Sequence, residues 1–291
     1  MLPTVPTPLL QRVVAGMQKF APLSLADTAW DNVGVLVESP HVPSSDPPAV
    51  LLTIDMTPKV LAEAVAKKCS VVVAYHPLIF SGLKKLSLAD PRQATVLHCA
   101  QQGISVYCPH TSLDATEGGI NDWLIDVVGG HARQVIQPVL PTGKRALSDA
   151  EREACRTGYG RFARLNEGVP FATMLARVKS ALGISSVRVA LPPNFETPDS
   201  IVFRSVAVCA GSGSSVFRML QPSQKPDLLL TGEMGHHDVL AAVESGSVVF
   251  LTEHTNTERG FLPKLREILL PDLAEVEIHV AETDRDPLMP Y

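Results

Sequence analysis

Apolar positions recur at helical spacing from Leu9 to Phe20, and the stretch that follows Trp30-Asp31-Asn32, Val33-Gly34-Val35-Leu36-Val37, turns into a strand. A loop with four prolines covers Ser39 to Pro48. Beyond it, Val50-Leu51-Leu52-Thr53-Ile54-Asp55 reads as a buried strand. Thr57-Pro58 supplies an N-cap and a first-turn proline for a helix over Lys59 to Lys68. Val71 to Ala74 predicts a strand, Leu97 to Gln102 a helix ending at Gly103, and Ile104 to Tyr107 another strand. Strands that alternate with helices predict an α/β sheet, largely parallel.

The rhythm breaks between Gln137 and Ala150, where prolines, Gly143 and small polar residues read as a connector, and then resumes. Phe171 to Leu182 is helical, Val187 to Leu191 a strand, and Pro192 to Pro198 a loop. Val206 to Cys209 leads through Ala210-Gly211-Ser212-Gly213-Ser214-Ser215 into a short helix. Asp227 to Leu230 and Val248 to Leu251 are strands, Val239 to Glu244 and Phe261 to Leu269 helices, and Val276 to Val280 a final strand. The expected organisation is an N-terminal α/β unit over 1–136, a connector over 137–150 and a C-terminal α/β unit over 151–291. The run from Val50 to His76 echoes that from Val206 to His237, as a duplication would.

Composition narrows the function classes. With 291 residues, 45% of them hydrophobic, the chain is long enough to bury a core without disulfides or structural metal. A net charge of −5, from 25 basic and 30 acidic side chains, offers no field for tracking a phosphate backbone or an acidic membrane. No apolar run reaches the roughly 18 residues that span a bilayer. Met1 to Pro8 lacks the pattern of a signal or transit peptide. Five scattered cysteines without a CxxC pair suit reduced thiols, so a cytoplasmic location is expected, with the nucleus also open to a chain of this kind.

Candidate chemistry gathers at strand ends. Tyr75-His76-Pro77 follows one strand and His110-Thr111-Ser112-Leu113-Asp114 another; Thr231-Gly232-Glu233 with His236-His237-Asp238 follows a third, and Glu253-His254 through Glu258 a fourth. Ligands of open α/β sheets bind beyond the carboxyl ends of strands, and imidazole with carboxylate suits zinc, iron or manganese. Each residue also has an ordinary reading. Glu258 can complement a helix N-terminus, His76 can simply end a strand before a proline, Asp114 can serve a turn, and His236-His237 can open a helix. Their joint placement at strand ends is what favours metal. The Ser212-Gly213-Ser214 turn matches no nucleotide motif, so a tight turn competes with a phosphate cradle. Cys108 is a poor nucleophile candidate, and Trp30 is expected half-buried in a core rather than against a substrate ring.

At these motifs the chain resembles the NGG-one interacting factor three-like family, also known as type 2 GTP cyclohydrolase I. The likeness rests on Trp30-Asp31-Asn32-Val33-Gly34, Ala74-Tyr75-His76-Pro77, Pro109-His110-Thr111 through Asp114, Cys209 through Ser215, Thr231-Gly232-Glu233 through Asp238, and Glu253-His254 through Phe261. The closing Glu282-Thr283-Asp284-Arg285-Asp286-Pro287-Leu288 is similar to the eukaryotic branch, and the connector is too short for the domain that many members insert there. The resemblance implies two three-layer α/β units, with mostly parallel or mixed sheets, flanking a shared metal cleft, and six subunits in a toroidal homohexamer. It implies that His76 and Asp114 bind one divalent metal, that His254 binds another, and that Glu258 bridges the two.

Where the bacterial pattern has two histidines this chain has Tyr75-His76, so one tightly held metal is as consistent as two. Tyr75 and His110 would then orient ligands or bound water. The implied activity is a metal-dependent hydrolase that activates water for attack on a nucleotide such as GTP. Glu233 or His237 would move protons, and Ser212, Gly213 and Ser214 would contact phosphate. The rival is a non-catalytic protein, either a metal-binding scaffold or, as the family name implies, an interaction partner of transcriptional regulators.

Overall fold

The computed structural model describes residues 7–41, 47–139, 147–193 and 197–289, with Asp149 described in its backbone only. Parts of the expected leader (1–6), Pro-rich loop (42–46), connector (140–146) and second loop (194–196) lie outside the described residues. In chain order the elements are α1 (Pro8–Phe20), β1 (Gly34–Val37), β2 (Ala49–Thr53), α2 (Pro58–Ala66), β3 (Cys69–Ala74), α3 (Pro91–Gln101) and β4 (Ser105–Cys108). Next come α4 (Thr111–Ala115), α5 (Ile120–Val127), β5 (His131–Pro138), α6 (Asp149–Ala154), β6 (Gly158–Pro170), α7 (Phe171–Leu182), β7 (Arg188–Ala190) and β8 (Val202–Ser212). The last are α8 (Ser214–Phe217), β9 (Leu228–Glu233), α9 (His236–Glu244), β10 (Val248–Leu251), α10 (Leu262–Leu269) and β11 (Glu277–Val280).

The chain divides into two compact units, one of Met1–Leu113 with Phe261–Arg285 and the other of Asp114–Gly260 with Asp286–Tyr291. This partition differs from the boundary expected at 137–150. Strands β5 and β6 on either side of that connector pair antiparallel, Pro138 opposite Gly158, and so belong to one sheet. At the other end, β11 crosses back to pair in parallel with β2. Sheet pairing, not the composition of the connector, sets the units.

Unit one has a five-stranded sheet in the order β1-β4-β3-β2-β11, parallel except for β1 against β4. Every residue of β2, β3 and β4 is buried, as continuous apolar runs require when helices cover both faces. One face packs Val72, Val106 and Leu51 against Val60, Leu61 and Ala64 of α2 and Val96 and Cys99 of α3. The Thr57 hydroxyl accepts from the Val60 amide at 3.3 Å and Pro58 opens α2, the start expected from sequence. An equivalent cap, Asp90 accepting from the Gln93 amide before Pro91, starts α3 six residues earlier than apolar spacing alone indicates.

Unit two has a six-stranded sheet, β5-β6-β8-β9-β10-β7. Only β8-β9-β10 is parallel; β5, β6 and β8 pair antiparallel, as do β10 and β7, so the sheet is mixed. The buried half of β6 lacks a continuous apolar pattern because it contains Arg161, which is 1% exposed. That guanidinium donates to both Asp122 oxygens at 2.9 and 3.0 Å and to the carbonyls of Gly158 and Gly160, which makes burial of the charge tolerable. Phe171, Phe203 and Phe250 pack edge to face and tilted in the core of this unit. The expected echo is visible: β2-α2-β3 and β8-α8-β9 each join two parallel neighbouring strands through a helix.

In unit one Glu63 fastens the segment after β11. Its carboxylate accepts from the amides of Glu282 and Thr283, the Thr283 hydroxyl and Lys67. Burial pushes the acid up, but the bonds from Lys67, Thr283 and the two amides outweigh it and hold it at about 2. Because the folded value lies below the unfolded one, this stabilisation is complete above about pH 4.5 and is lost as pH falls toward 2. Glu63→Gln should cost about 1 to 3 kcal/mol at pH 7. In denaturant melts the gap to wild type should shrink between pH 4.5 and 2; a gap independent of pH would contradict this account.

Candidate metal centre

In unit one, β2 and β3 end side by side and stay bonded past their last residues: the Tyr75 amide donates to the Thr53 carbonyl and the His76 amide to that of Ile54. Asp55, the next residue along, sets its Oδ1 3.0 Å from His76 Nδ1. A carboxylate on Nδ1 fixes the ring so that Nε2 is the nitrogen directed to a ligand, the usual arrangement behind metal-bound histidines. Tyr75 is buried, its ring centroid 4.9 Å from that of His76.

His110 follows β4 with φ +31°, a left-handed conformation that costs a non-glycine residue on the order of 1 to 2 kcal/mol. It is held there by Asp31, whose buried side chain lies 2.6 Å from His110 Nδ1 and also accepts from the Thr111 amide and hydroxyl. Burial raises the Asp31 acid, yet these bonds and the imidazole leave it below the usual range. The His110 ring meets Tyr75, His76 and Trp30 edge-on. Trp30 itself is 52% exposed and stands beside the exposed Phe80, a correction to the half-buried core position expected of it. Cys108 donates its thiol to the Tyr75 carbonyl, and burial keeps that thiol well above its ordinary value, so it is no nucleophile.

In unit two, β10 exits through Glu253, at φ +68°, into a single 3-10 turn over Thr255–Thr257. Across that turn His254 Nε2 lies 3.3 Å from Glu258 Oε1, four residues on. Glu258 is 1% exposed. Glu233, at the end of β9, sets its Oε1 2.9 Å from His254 Nδ1, so it orients this imidazole as Asp55 orients His76. The Thr257 hydroxyl donates to the His254 carbonyl and accepts from the Gly211 amide, lacing the turn to β8.

Asp114 belongs to the same unit. Asn121 donates to its carbonyl and accepts from the Ala210 amide, and α5, which carries Asn121, is anchored through Asp122 to Arg161. The buried Cys209 thiol is raised by desolvation first, and then by the charges of Asp114 and Glu258, two carboxylates near one sulfur. Gly211 leaves room for these two side chains: a Cβ there would sit 2.7 Å from Glu258 Oε1 and 2.8 Å from His254 Nε2. Two carboxylates and an imidazole are donors that fit zinc, manganese or iron, and a divalent cation would supply the positive charge that a buried carboxylate requires.

Ser212 lies opposite Glu233 in the β8–β9 pairing, and the Gly213 amide donates to the Glu233 carbonyl at 3.4 Å. His237 is exposed in the first turn of α9, its ring against His236. β8 continues to Ser212, and a Cβ at Gly213 would press within 2.7 Å of Thr231 Oγ1 and of Phe217, the packing of a tight turn. Ser214 Oγ accepts from the Gly235 amide. Asp55 escaped the sequence reading although it ends an apolar run as the other clusters do. Asn121 and Thr257 gave no signal, because their roles depend on partners 89 and 46 residues away.

The model of the Duf34/NIF3 (NGG1p interacting factor 3) family matches residues 8–287. This chain belongs to that family. NGG1-interacting factor 3 of Saccharomyces cerevisiae is 40% identical over 285 residues, 96% of each chain. The NIF3 homolog of Schizosaccharomyces pombe is 41% identical over 270 residues, 91% of each. The crystal structure of a Bacillus cereus protein related to NIF3 shares the fold, with a TM-score of 0.79 at 19% identity over 97% of this chain and 98% of that one.

Gly211→Ala tests the clearance directly. At φ +62° and with two ligand atoms inside contact distance, it should lower stability by about 1 to 3 kcal/mol and weaken divalent-metal binding at least tenfold. Isothermal titration with zinc that gave wild-type affinity would show that His254 and Glu258 do not face a ligand across this glycine.

Proposed function

We propose that His76, His254 and Glu258, with Asp114, hold a divalent metal, and that the protein is a hydrolase using water activated there, with a nucleotide as substrate class. The observation that carries this reading is the Glu258 carboxylate, 1% exposed and 3.3 Å from His254 Nε2, across a glycine that leaves space for both. When bound, the metal would lower the pKa of water toward about 7 and polarise an oxygen of the substrate. The residues do the rest. Asp55 and Glu233 hold the Nδ1 side of their imidazoles, leaving Nε2 to meet a metal, and Glu258 brings a buried negative charge that a bound cation would offset. Glu233 is half exposed, which also suits it to pass protons to solvent. By resemblance the working assembly is a homohexamer. The nucleotide assignment likewise rests on that resemblance.

One observation favours a second reading, a scaffold for protein partners: the 40% identical yeast relative is named for interaction with another protein. Turnover separates the two. Purified protein offered nucleotides and phosphoesters should show activity that chelator and Glu258→Ala both abolish. Activity indifferent to both would reject the hydrolase, and a fully loaded protein without turnover would favour the scaffold.

Tyr75 stands at a position where the bacterial pattern has histidine, so one metal per chain should be held tightly. Elemental analysis should find about one, lost in His76→Ala, Asp114→Ala and His254→Ala, and raised by Tyr75→His. Two equivalent metals in wild type would refute the role given to Tyr75.

A further inference from the structure

The closing Asp284-Arg285-Asp286 takes no direct part in the centre described above, yet its carboxylates reach the backbone on which two candidate ligands are built. Exposure alternates along this segment: Asp284 and Asp286 are buried at 3% and 9%, while Thr283, Arg285 and Pro287 are exposed. Burying two acids two residues apart is costly unless each is satisfied, and each is satisfied at a site-bearing segment.

In unit one, Asp284 Oδ2 accepts from the Ile54 amide at 2.8 Å. Ile54 is the residue whose carbonyl holds the His76 amide, and its successor Asp55 pins the His76 ring. In unit two, Asp286 Oδ2 accepts from the Thr255 amide at 3.0 Å and the Thr255 hydroxyl at 2.8 Å, while its Oδ1 accepts from the Leu288 amide. Thr255 directly follows His254 and opens the turn that brings Glu258 to it. Arg259, just past Glu258, donates to the same Thr255 hydroxyl at 2.8 Å, so the hydroxyl links the far end of the turn to Asp286.

We infer that Asp284 and Asp286 are positioning residues for metal binding, each fixing the backbone next to one imidazole ligand. This rests on the metal reading proposed above. Neither acid is a ligand itself; each acts through one amide, Ile54 or Thr255.

The test uses the full chain, stripped of metal and titrated with cobalt(II), whose visible bands report both affinity and geometry. Asp284→Ala and Asp286→Ala should each bind cobalt(II) 10 to 100 times more weakly, with altered band intensities. Asp284→Asn and Asp286→Asn, which keep a carbonyl acceptor for the amide, should recover part of that loss, and they decide the matter in the same way if the alanine variants do not fold. Glu63→Gln is the control for a merely structural role. It loosens the same segment at Glu282 and Thr283 without touching Ile54 or Thr255, so it should lower the melting temperature and leave cobalt(II) binding unchanged. Folded alanine variants that titrate like wild type would overturn the inference while leaving the metal reading intact. A wild-type chain that takes up no cobalt(II) would overturn both.

Discussion

A carboxylate removed from water beside an imidazole is the arrangement on which the rest of unit two's chemistry depends. Glu258 is almost completely enclosed, and its neighbour His254 carries charge only if protonated. Burying an ionised group is costly unless cations or donors compensate it, and folds keep such arrangements where function requires them. The surroundings are arranged to preserve this one: Gly211 gives up a side chain, Thr257 ties the turn to β8, and Glu233 fixes the ring from its other nitrogen.

The same device appears in unit one. There a strand ends, the chain stays bonded to its neighbour for two more residues, and Asp55 takes the Nδ1 of His76. His110 is held by Asp31 in a conformation that it would not adopt unaided. Carboxylate-oriented imidazoles at strand ends thus recur across both sheets. Structural acids do a different job. Asp122 neutralises Arg161 deep in unit two, and Glu63 secures the segment that follows β11.

Much of this was legible in the chain itself. Continuous apolar runs such as Val71–Ala74 and Val248–Leu251 can hardly be anything but buried strands, and Thr57-Pro58 starts its helix where cap chemistry puts it. The imidazoles and carboxylates that end those strands were likewise visible, His76, His254 and Glu258 among them. What stayed hidden was long-range. β6 conceals a buried arginine that reads as a surface residue until Asp122 is known to face it, and β11 returns to a sheet more than two hundred residues back. Trp30 looked like a core residue because nothing local says that its ring stands out beside Phe80. The hydrogen bonds that Asp55, Asn121 and Thr257 make to His76, Asp114 and Gly211 depend on pairings that spacing along the chain does not encode.

X-ray absorption at the metal edge, on the full chain loaded with one equivalent of zinc or cobalt(II), reads the donor set without any assumption about substrate. Nitrogen and oxygen as the only nearest neighbours, with the outer-shell pattern of imidazole that His254→Ala diminishes, is the predicted result. A sulfur neighbour contributed by the buried Cys209, or a spectrum with no imidazole and no change in His254→Ala, would contradict the centre described for His254 and Glu258.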